Sequence, residues 1–282
     1  MKNLAVCLHL FYFEQFDEIK KRLSKLKDVD FDLFVTMVCD EECVKEKILK
    51  LYPNAKIFVV ENRGYDIGPF VYFLHQINLD DYKYVLKLHT KGKKGYAGTL
   101  IKNRRLSNAL WGKIMWESLL GSKKRLGANL KMLEENNRIG MIGSAYCFSD
   151  EYKHYYHLLE DINVAMKKMG FDEVANLSFI AGCMFVCRAE LLKPLLSYSL
   201  CDFDATDGKI KDETLAHVVE RLFGAIVEAE GYEVVGVKHD NYALWFWWIA
   251  FKRFLFQKKV TKSGKMMVKI CRIPVFVKYV EV

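Results

Sequence analysis

Over the first ninety residues the apolar positions switch repeatedly between two periods. Residues 3–11 form a continuous apolar run, residues 14–27 set Phe16, Ile19, Leu23 and Leu26 at helical spacing, and residues 32–39 are apolar again. The alternation continues with a helix over 41–51, a strand over 56–60, a helix over 67–77 and a strand over 83–89. Short apolar strands joined by amphipathic helices predict an α/β fold, a mostly parallel sheet flanked by helices on both faces. Farther along, 178–188 reads as a strand that turns into a helix at Arg188-Ala189, 211–232 as an amphipathic helix, and EVVGVKH as a strand returning to the sheet. In parallel sheets ligands gather at the carboxyl ends of the strands. That rule puts Cys39-Asp40, Glu61 to Asp66 and His89 to Lys94 on one rim.

Composition narrows the class. With 282 residues, 51% of them hydrophobic, and only four prolines, the chain has a sizeable core and no linker-like segment. The expected organisation is one domain over residues 1–240 and an aromatic, basic extension over 241–282. The eight cysteines lie in apolar, strand-like segments without paired spacing, which predicts reduced thiols in a cytoplasmic protein; Cys183 and Cys187 lack partners for a zinc site. The N-terminus, MKNLAVCLHLFYFEQ, has one lysine and no small-residue cleavage site, so it reads as a first strand and not as a signal peptide.

The net charge of +8 is uneven. Residues 83–131 hold thirteen Lys/Arg against Glu117 alone, and residues 238–272 hold nine against Asp240 alone. Such patches attract phosphate groups, anionic lipid or nucleic acid.

Candidate chemistry sits on the predicted rim. After the third strand, Asn62-Arg63-Gly64-Tyr65-Asp66 leaves the sheet where a ligand belongs; Gly64 permits a tight turn, and the next helix points its positive end the same way. Arg63 is suited to an anionic group, and Asp66 either caps that helix or accepts from a ligand hydroxyl. Neither Gly-x-Gly-x-x-Gly nor Gly-Lys-Ser/Thr is present, so a dinucleotide fold and a P-loop are not indicated. The fourth strand ends in His89-Thr90-Lys91 before a glycine- and lysine-rich loop, which delivers two positive or protonatable groups to the rim.

These segments together resemble a known family. Asn62-Arg63-Gly64-x-Asp66-Ile67-Gly68-Pro69-Phe70, Leu86-Lys87-Leu88-His89-Thr90-Lys91, Ile180-Ala181-Gly182-x-Met184-Phe185-x-x-Arg188 and His217-x-x-Glu220-Arg221-Leu222-Phe223-Gly224 look like the ordered motifs of the rhamnan synthesis protein F family. The opening LHLFYFEQFDEI and the segment WGKIMWESLLGS fit the same pattern, and the resemblance covers roughly residues 3–240. It implies a bacterial polysaccharide glycosyltransferase with a GT-A-like, Rossmann-like fold and makes the four segments the active-site lining. Where that architecture commonly carries Asp-x-Asp for a divalent metal, this chain has His89-Thr90-Lys91, so metal-independent neutralisation of a departing diphosphate is expected, with Mg or Mn left open.

Under this resemblance Arg63, Gly64, Asp66, His89 and Lys91 are the donor and diphosphate residues. Gly182, Arg188 and His217 are placed on the sugar or acceptor side, because the lack of bulk at Gly182 lets a sugar lie against the backbone. Glu213, His217 and Glu220 share one face of the predicted helix 211–232. Glu220 is the expected base of an inverting transfer, with Glu213 or Asp212 as substitutes, and Arg221 is expected on another face, leaving that carboxylate unpaired. The implied donor is dTDP-rhamnose and the implied acceptor a lipid-linked or growing oligosaccharide. The tail NYALWFWWIAFKRFLFQKKVTKSGK has an apolar run too short to span a bilayer, and it suits peripheral attachment to the anionic inner face of the cytoplasmic membrane. Two other classes are a noncatalytic scaffold of a glycan-assembly complex and a nucleic-acid or polyanion binder. The acid–histidine stripe argues against nucleic acid.

Overall fold

The computed structural model describes residues 2–92, 96–101, 104–206 and 214–239, and in the C-terminal part 244, 247–248, 251, 254–260, 265–271 and 273–279. The chain divides into two compact units, 1–239 and 240–282.

The first unit begins with β1 (Lys2–His9), α1 (Phe16–Leu23), β2 (Phe31–Met37), α2 (Glu42–Leu51), β3 (Lys56–Val59), α3 (Ile67–Leu74) and β4 (Tyr82–His89). A two-stranded pair, β5 (Tyr96–Ile101) and β6 (Arg104–Ser107), precedes α4 (Asn108–Leu120), α5 (Lys123–Glu135) and β7 (Ile139–Ser144). There follow β8 (Phe148–Ser149), α6 (Leu159–Lys168), β9 (Phe179–Ile180), β10 (Phe185–Arg188), α7 (Leu215–Ala229) and β11 (Glu233–Val237). A 3-10 segment, Ala189–Ser197, stands where the strand-to-helix reading placed a helix.

The main sheet has seven strands in the order β11-β7-β10-β4-β1-β2-β3. Six run parallel, and β10 alone is antiparallel to both its neighbours, β4 and β7. The hydrophobic pattern explains the layering. β1, β4 and β7 are buried along nearly their whole lengths, whereas α1 buries only Phe16, Ile19 and Leu23 along one stripe. α3 buries Ile67 to Val71 together with Phe73 and Leu74, and its Pro69 lies in the first turn, where a missing N–H costs no hydrogen bond. Phe70, Phe185 and Phe223 meet at 5.0–6.0 Å between ring centroids, locking α3, β10 and α7 together.

One consequence of β10 running backwards positions the site. The turn before it, Gly182-Cys183, lies at the rim formed by the carboxyl ends of the six parallel strands, and its last residue, Arg188, pairs with Tyr84 near the opposite edge.

The second unit contains a three-stranded antiparallel sheet, β12 (Phe256–Val260), β13 (Lys265–Ile270) and β14 (Ile273–Tyr279). Period-based reading of the tail did not find it. Its side chains Trp247, Trp248, Phe251, Ile273, Val275 and Val277 are exposed. Residues 241–282 hold nine of the 43 Lys/Arg and one of the 35 acids, so residues 1–240 carry 34 of each sign and the whole net charge sits in residues 241–282. Among the described residues no helix is long and apolar enough to cross a membrane.

Candidate functional site

β4 carries Lys87 and His89 two residues apart, so both point to one face of the sheet. That face is covered by α3, which starts directly after Asp66. Lys87 is 1% exposed; its Nζ donates to Asp66 Oδ2 at 2.5 Å and to the Cys183 carbonyl at 3.1 Å, and it lies 5.3 Å from the Phe70 ring centroid. His89 Nδ1 lies 3.6 Å from Asp66 Oδ1, and His89 Nε2 donates to the Gly182 carbonyl at 2.7 Å.

Burial alone would push the Asp66 carboxyl up, but His89, Lys87 and Lys91 around it, with the direct Lys87 hydrogen bond, outweigh burial and hold it well below the usual carboxylate range. Burial pushes His89 down to about 3 against the pull of Asp66. At neutral pH His89 is therefore neutral, and Lys87 is the charge that answers Asp66. His9, on β1 beside this cluster, is pushed down by burial to about 4, and its Nδ1 is 3.0 Å from Thr36 Oγ1.

Two expectations change here. Asp66 makes no capping hydrogen bond to α3, because its oxygens are turned toward β4. His89 is no open cation for a phosphate, since it is 2% exposed and spends its Nε2–H on a backbone carbonyl.

Gly182 links this cluster to α7. Its φ is +87°, and a Cβ there would lie 2.7 Å from the Trp111 ring and 2.8 Å from Met115 Sδ, so glycine is required. Its carbonyl accepts from His89 while its N–H donates to Glu220 Oε1 at 2.6 Å. α7 reaches this turn because residues 220, 224 and 228, four apart, face the 178–182 segment. Glu228 Oε2 accepts from Ser178 N at 2.9 Å, and a Cβ at Gly224 would lie 1.7 Å from the Ser178 carbonyl oxygen. The working stripe of the helix is thus Glu220-Gly224-Glu228. Glu213 and Asp212, predicted as its neighbours or substitutes, lie outside the described residues.

Glu220 does not stand unpaired. Arg221, expected on another face, folds back so that its guanidinium donates to Glu220 Oε2 at 2.6 Å and to the carbonyls of His217 at 3.0 Å and His154 at 3.2 Å. His217 Nδ1 is 2.9 Å from Thr214 Oγ1, and its ring meets Tyr65 edge-on at 5.9 Å, beside Asp66 in sequence. Lys91 lies over the Trp111 ring, 4.3 Å from its centroid, which brings one rim cation next to Gly182.

Arg63 and Gly64 belong to a clasp between two loops. Gly64, at φ +63°, donates its N–H to the Asp204 carbonyl at 3.0 Å with Phe203 against it; Thr206 N donates to the Asn62 carbonyl at 2.8 Å. Arg63 donates to Glu61 Oε2 at 2.6 Å and to the Phe203 carbonyl at 2.8 Å, so its fork is largely used in holding the loops. Arg188 leaves the site altogether. At the far end of β10 it donates to the carbonyls of Leu133, Asn136 and Ile139, where it ties β10 to the end of α5 and the start of β7.

Among the described residues no group of three or more His, Cys, Asp or Glu side chains could hold a metal ion. The residues at the end of β4 do not fit one: both Asp66 oxygens face Lys87 and His89, His89 Nε2 is a donor to Gly182, and the next rim side chain is a lysine. Lys87 and Trp111 are site residues that residue-by-residue reading passed over. A lysine inside the apolar run Tyr84–Leu88 was the available signal for the first; the second opens the segment WGKIMWESLLGS, where the family pattern was the signal.

The model of the rhamnan synthesis protein F family matches residues 1–232. The uncharacterized protein WxcX of Xanthomonas campestris pv. campestris (strain B100) is 27% identical over 246 residues, which cover 84% of this chain and 33% of WxcX. The chain thus spans about a third of the length of the curated relatives it matches. Among solved structures, TarS 1–349 of S. aureus aligns with a TM-score of 0.44 and 13% identity over 84% of this chain and 59% of that one. Glucosyl-3-phosphoglycerate synthase of Mycobacterium tuberculosis, solved with Mn2+, UDP and glucosyl-3-phosphoglycerate, aligns with a TM-score of 0.34 and 10% identity over 99% of this chain and 90% of that one.

Proposed function

This chain belongs to the rhamnan synthesis protein F family, and on that footing we propose that it is a glycosyltransferase moving a sugar from a nucleoside-diphosphate donor onto a growing bacterial surface polysaccharide. One observation carries the reading. A single chain of polar contacts runs from Lys87 and Asp66 through His89 and the Gly182 peptide to Glu220, hydrogen-bonded except for the 3.6 Å approach of His89 to Asp66, and it joins all four ordered motifs at the carboxyl ends of the strands.

In this reading Asp66, ionised and fixed by Lys87, accepts from a donor hydroxyl, and Lys91 faces the diphosphate. Glu220 takes the proton of the acceptor hydroxyl. Each of its oxygens already accepts one hydrogen bond, and a carboxylate has lone pairs for more. The acceptor oxygen then attacks the anomeric carbon, the glycosidic bond to the diphosphate breaks with its electron pair, and the configuration inverts. The donor is dTDP-rhamnose, and the chemistry is metal-independent, since the rim side chains are cationic or already paired. The exposed tryptophans and the concentrated positive charge of the second unit suit the anionic inner face of the cytoplasmic membrane, where a lipid-linked acceptor is held.

Calorimetric titration with dTDP, UDP and an oligonucleotide, with and without chelator, tests this. Binding of a nucleoside diphosphate that survives chelator supports the reading. Binding lost to chelator overturns metal independence, and preference for the oligonucleotide overturns the transferase reading. Glu220→Gln should keep donor binding and lose turnover about 100-fold or more.

A further inference from the structure

The segment between β8 and α6 places aromatic rings on the surface next to the Glu220 end of this chain of polar contacts. Tyr152 and Tyr156 are 54% and 57% exposed, unusual for large rings on an otherwise well-packed unit. Their centroids are 5.9 Å apart with the ring planes tilted by 32°, and His157 meets Tyr156 edge-on at 5.5 Å.

The rings stand on a buried base. Tyr155 between them is 0% exposed, meets Tyr152 edge-on at 5.6 Å, and accepts at its hydroxyl from Leu177 N at 3.4 Å. Ser149 Oγ lies 2.6 Å from His154 Nδ1, which fixes the start of the segment against β8. Chain connectivity therefore builds these rings into the surface instead of leaving them on a loose loop.

Their place relative to the reacting groups is set by one side chain. The Arg221 guanidinium donates both to Glu220 Oε2 and to the His154 carbonyl, and it lies 4.9 Å from the Phe179 ring centroid. Glu220 and the backbone at His154, which lies between the two tyrosines in sequence, are thus held by the same rigid fork.

We infer that Tyr152 and Tyr156, with His157 at their edge, form a subsite for the growing glycan, on which sugar rings of the acceptor lie while its terminal hydroxyl reaches Glu220. The chemistry favours a saccharide. Phenol rings present flat apolar faces to the C–H faces of a sugar and a polar edge to its hydroxyls, at small entropic cost because the side chains are short. Two neighbouring rings 5.9 Å apart suit successive units of an oligosaccharide. A phosphate backbone would call for several unpaired cations here, whereas Lys153 is paired with Glu151. The inference rests on the glycosyltransferase reading for its role at Glu220.

The test is binding of rhamnose oligosaccharides of two to four units to the full chain, followed by NMR or calorimetry, beside dTDP and UDP binding as a separate arm. Both tyrosines are exposed, so Tyr152→Ala/Tyr156→Ala should keep the melting temperature and nucleotide affinity. Oligosaccharide affinity should fall roughly tenfold or more, and Tyr152→Phe/Tyr156→Phe should retain most of it. In transfer assays the Ala pair should raise the acceptor KM with kcat nearly unchanged. Equal oligosaccharide binding by wild type and the Ala pair, or none by a wild type that binds nucleotide, overturns the subsite. Wild-type self-association that the Ala pair abolishes, with glycan binding unaltered, overturns it in favour of an interface between copies. Tyrosine-dependent glycan binding without nucleotide binding would uphold the subsite while refuting the transferase reading.

Discussion

Replacing Lys87 by methionine keeps the length and most of the volume of the side chain while removing its charge from a position 1% exposed. Asp66 then loses its 2.5 Å donor, the Cys183 carbonyl loses a 3.1 Å one, and a carboxylate only 16% exposed is left to a neutral histidine. Removing one partner of a buried pair costs about 3–5 kcal/mol, chiefly through the uncompensated charge left behind. For a unit of this size that lowers Tm by roughly 6–20 °C. Adding Asp66→Asn removes the stranded charge, so the double variant should be more stable than Lys87→Met alone, which a double-mutant cycle in urea measures. Acid should also narrow the deficit. In the wild type His89 stays neutral down to about 3, so stability falls as pH drops below the ordinary value of 6.5, because the unfolded chain takes up the proton first. In Lys87→Met burial and Lys91 still depress His89, but the smaller push from Lys87 is gone while Asp66 still attracts the proton, so the folded variant takes it up at a higher pH than the wild type does. The gap between variant and wild type should therefore be smaller at pH 5.5 than at pH 7.5. A double variant no better than the single one, with a pH-independent gap, would refute the claim that Lys87 exists to answer Asp66.

Gly182→Ala should cost about 2–5 kcal/mol, from the left-handed backbone and the contact with Trp111 and Met115, and should abolish turnover with it; thermal denaturation checks the first. Arg188→Ala should lower stability by about 1–3 kcal/mol but leave turnover per folded molecule unchanged, because its three carbonyl partners lie at the opposite edge of the sheet. His9 and His89, depressed to about 4 and 3, should together remove at most about 4 kcal/mol of stability between pH 6.5 and 4.5, measurable as a falling urea midpoint. A chain truncated after His239 should stay folded and lose binding to anionic vesicles, and salt should weaken vesicle binding of the full chain; cosedimentation reads both.

Much of the fold follows from local pattern. Apolar runs such as 3–11 and 83–89, separated by helices with one buried stripe, leave few arrangements other than a covered parallel sheet, and glycine at 64 and 182 marks backbone that other residues resist. The order of motifs also carried the family. What local pattern leaves open is direction and distance. β10 and β4 look alike as sequence, yet β10 runs antiparallel; that single reversal brings Gly182 to the rim and carries Arg188 away from it. Lys87 read as part of a basic patch because charge along a chain says nothing of burial, and only the packing of α3 over β4 turned it into the partner of Asp66. Arg221 seemed to face away from Glu220 because helical spacing fixes where a Cβ points, whereas a long side chain with four torsions folds toward whichever acceptors the neighbouring chain supplies. Residue type and period are local quantities, and they set the elements. The site depends on which buried charges and peptide groups meet across elements, and those meetings are decided by tertiary packing, since a buried polar group takes the partner that packing brings within reach.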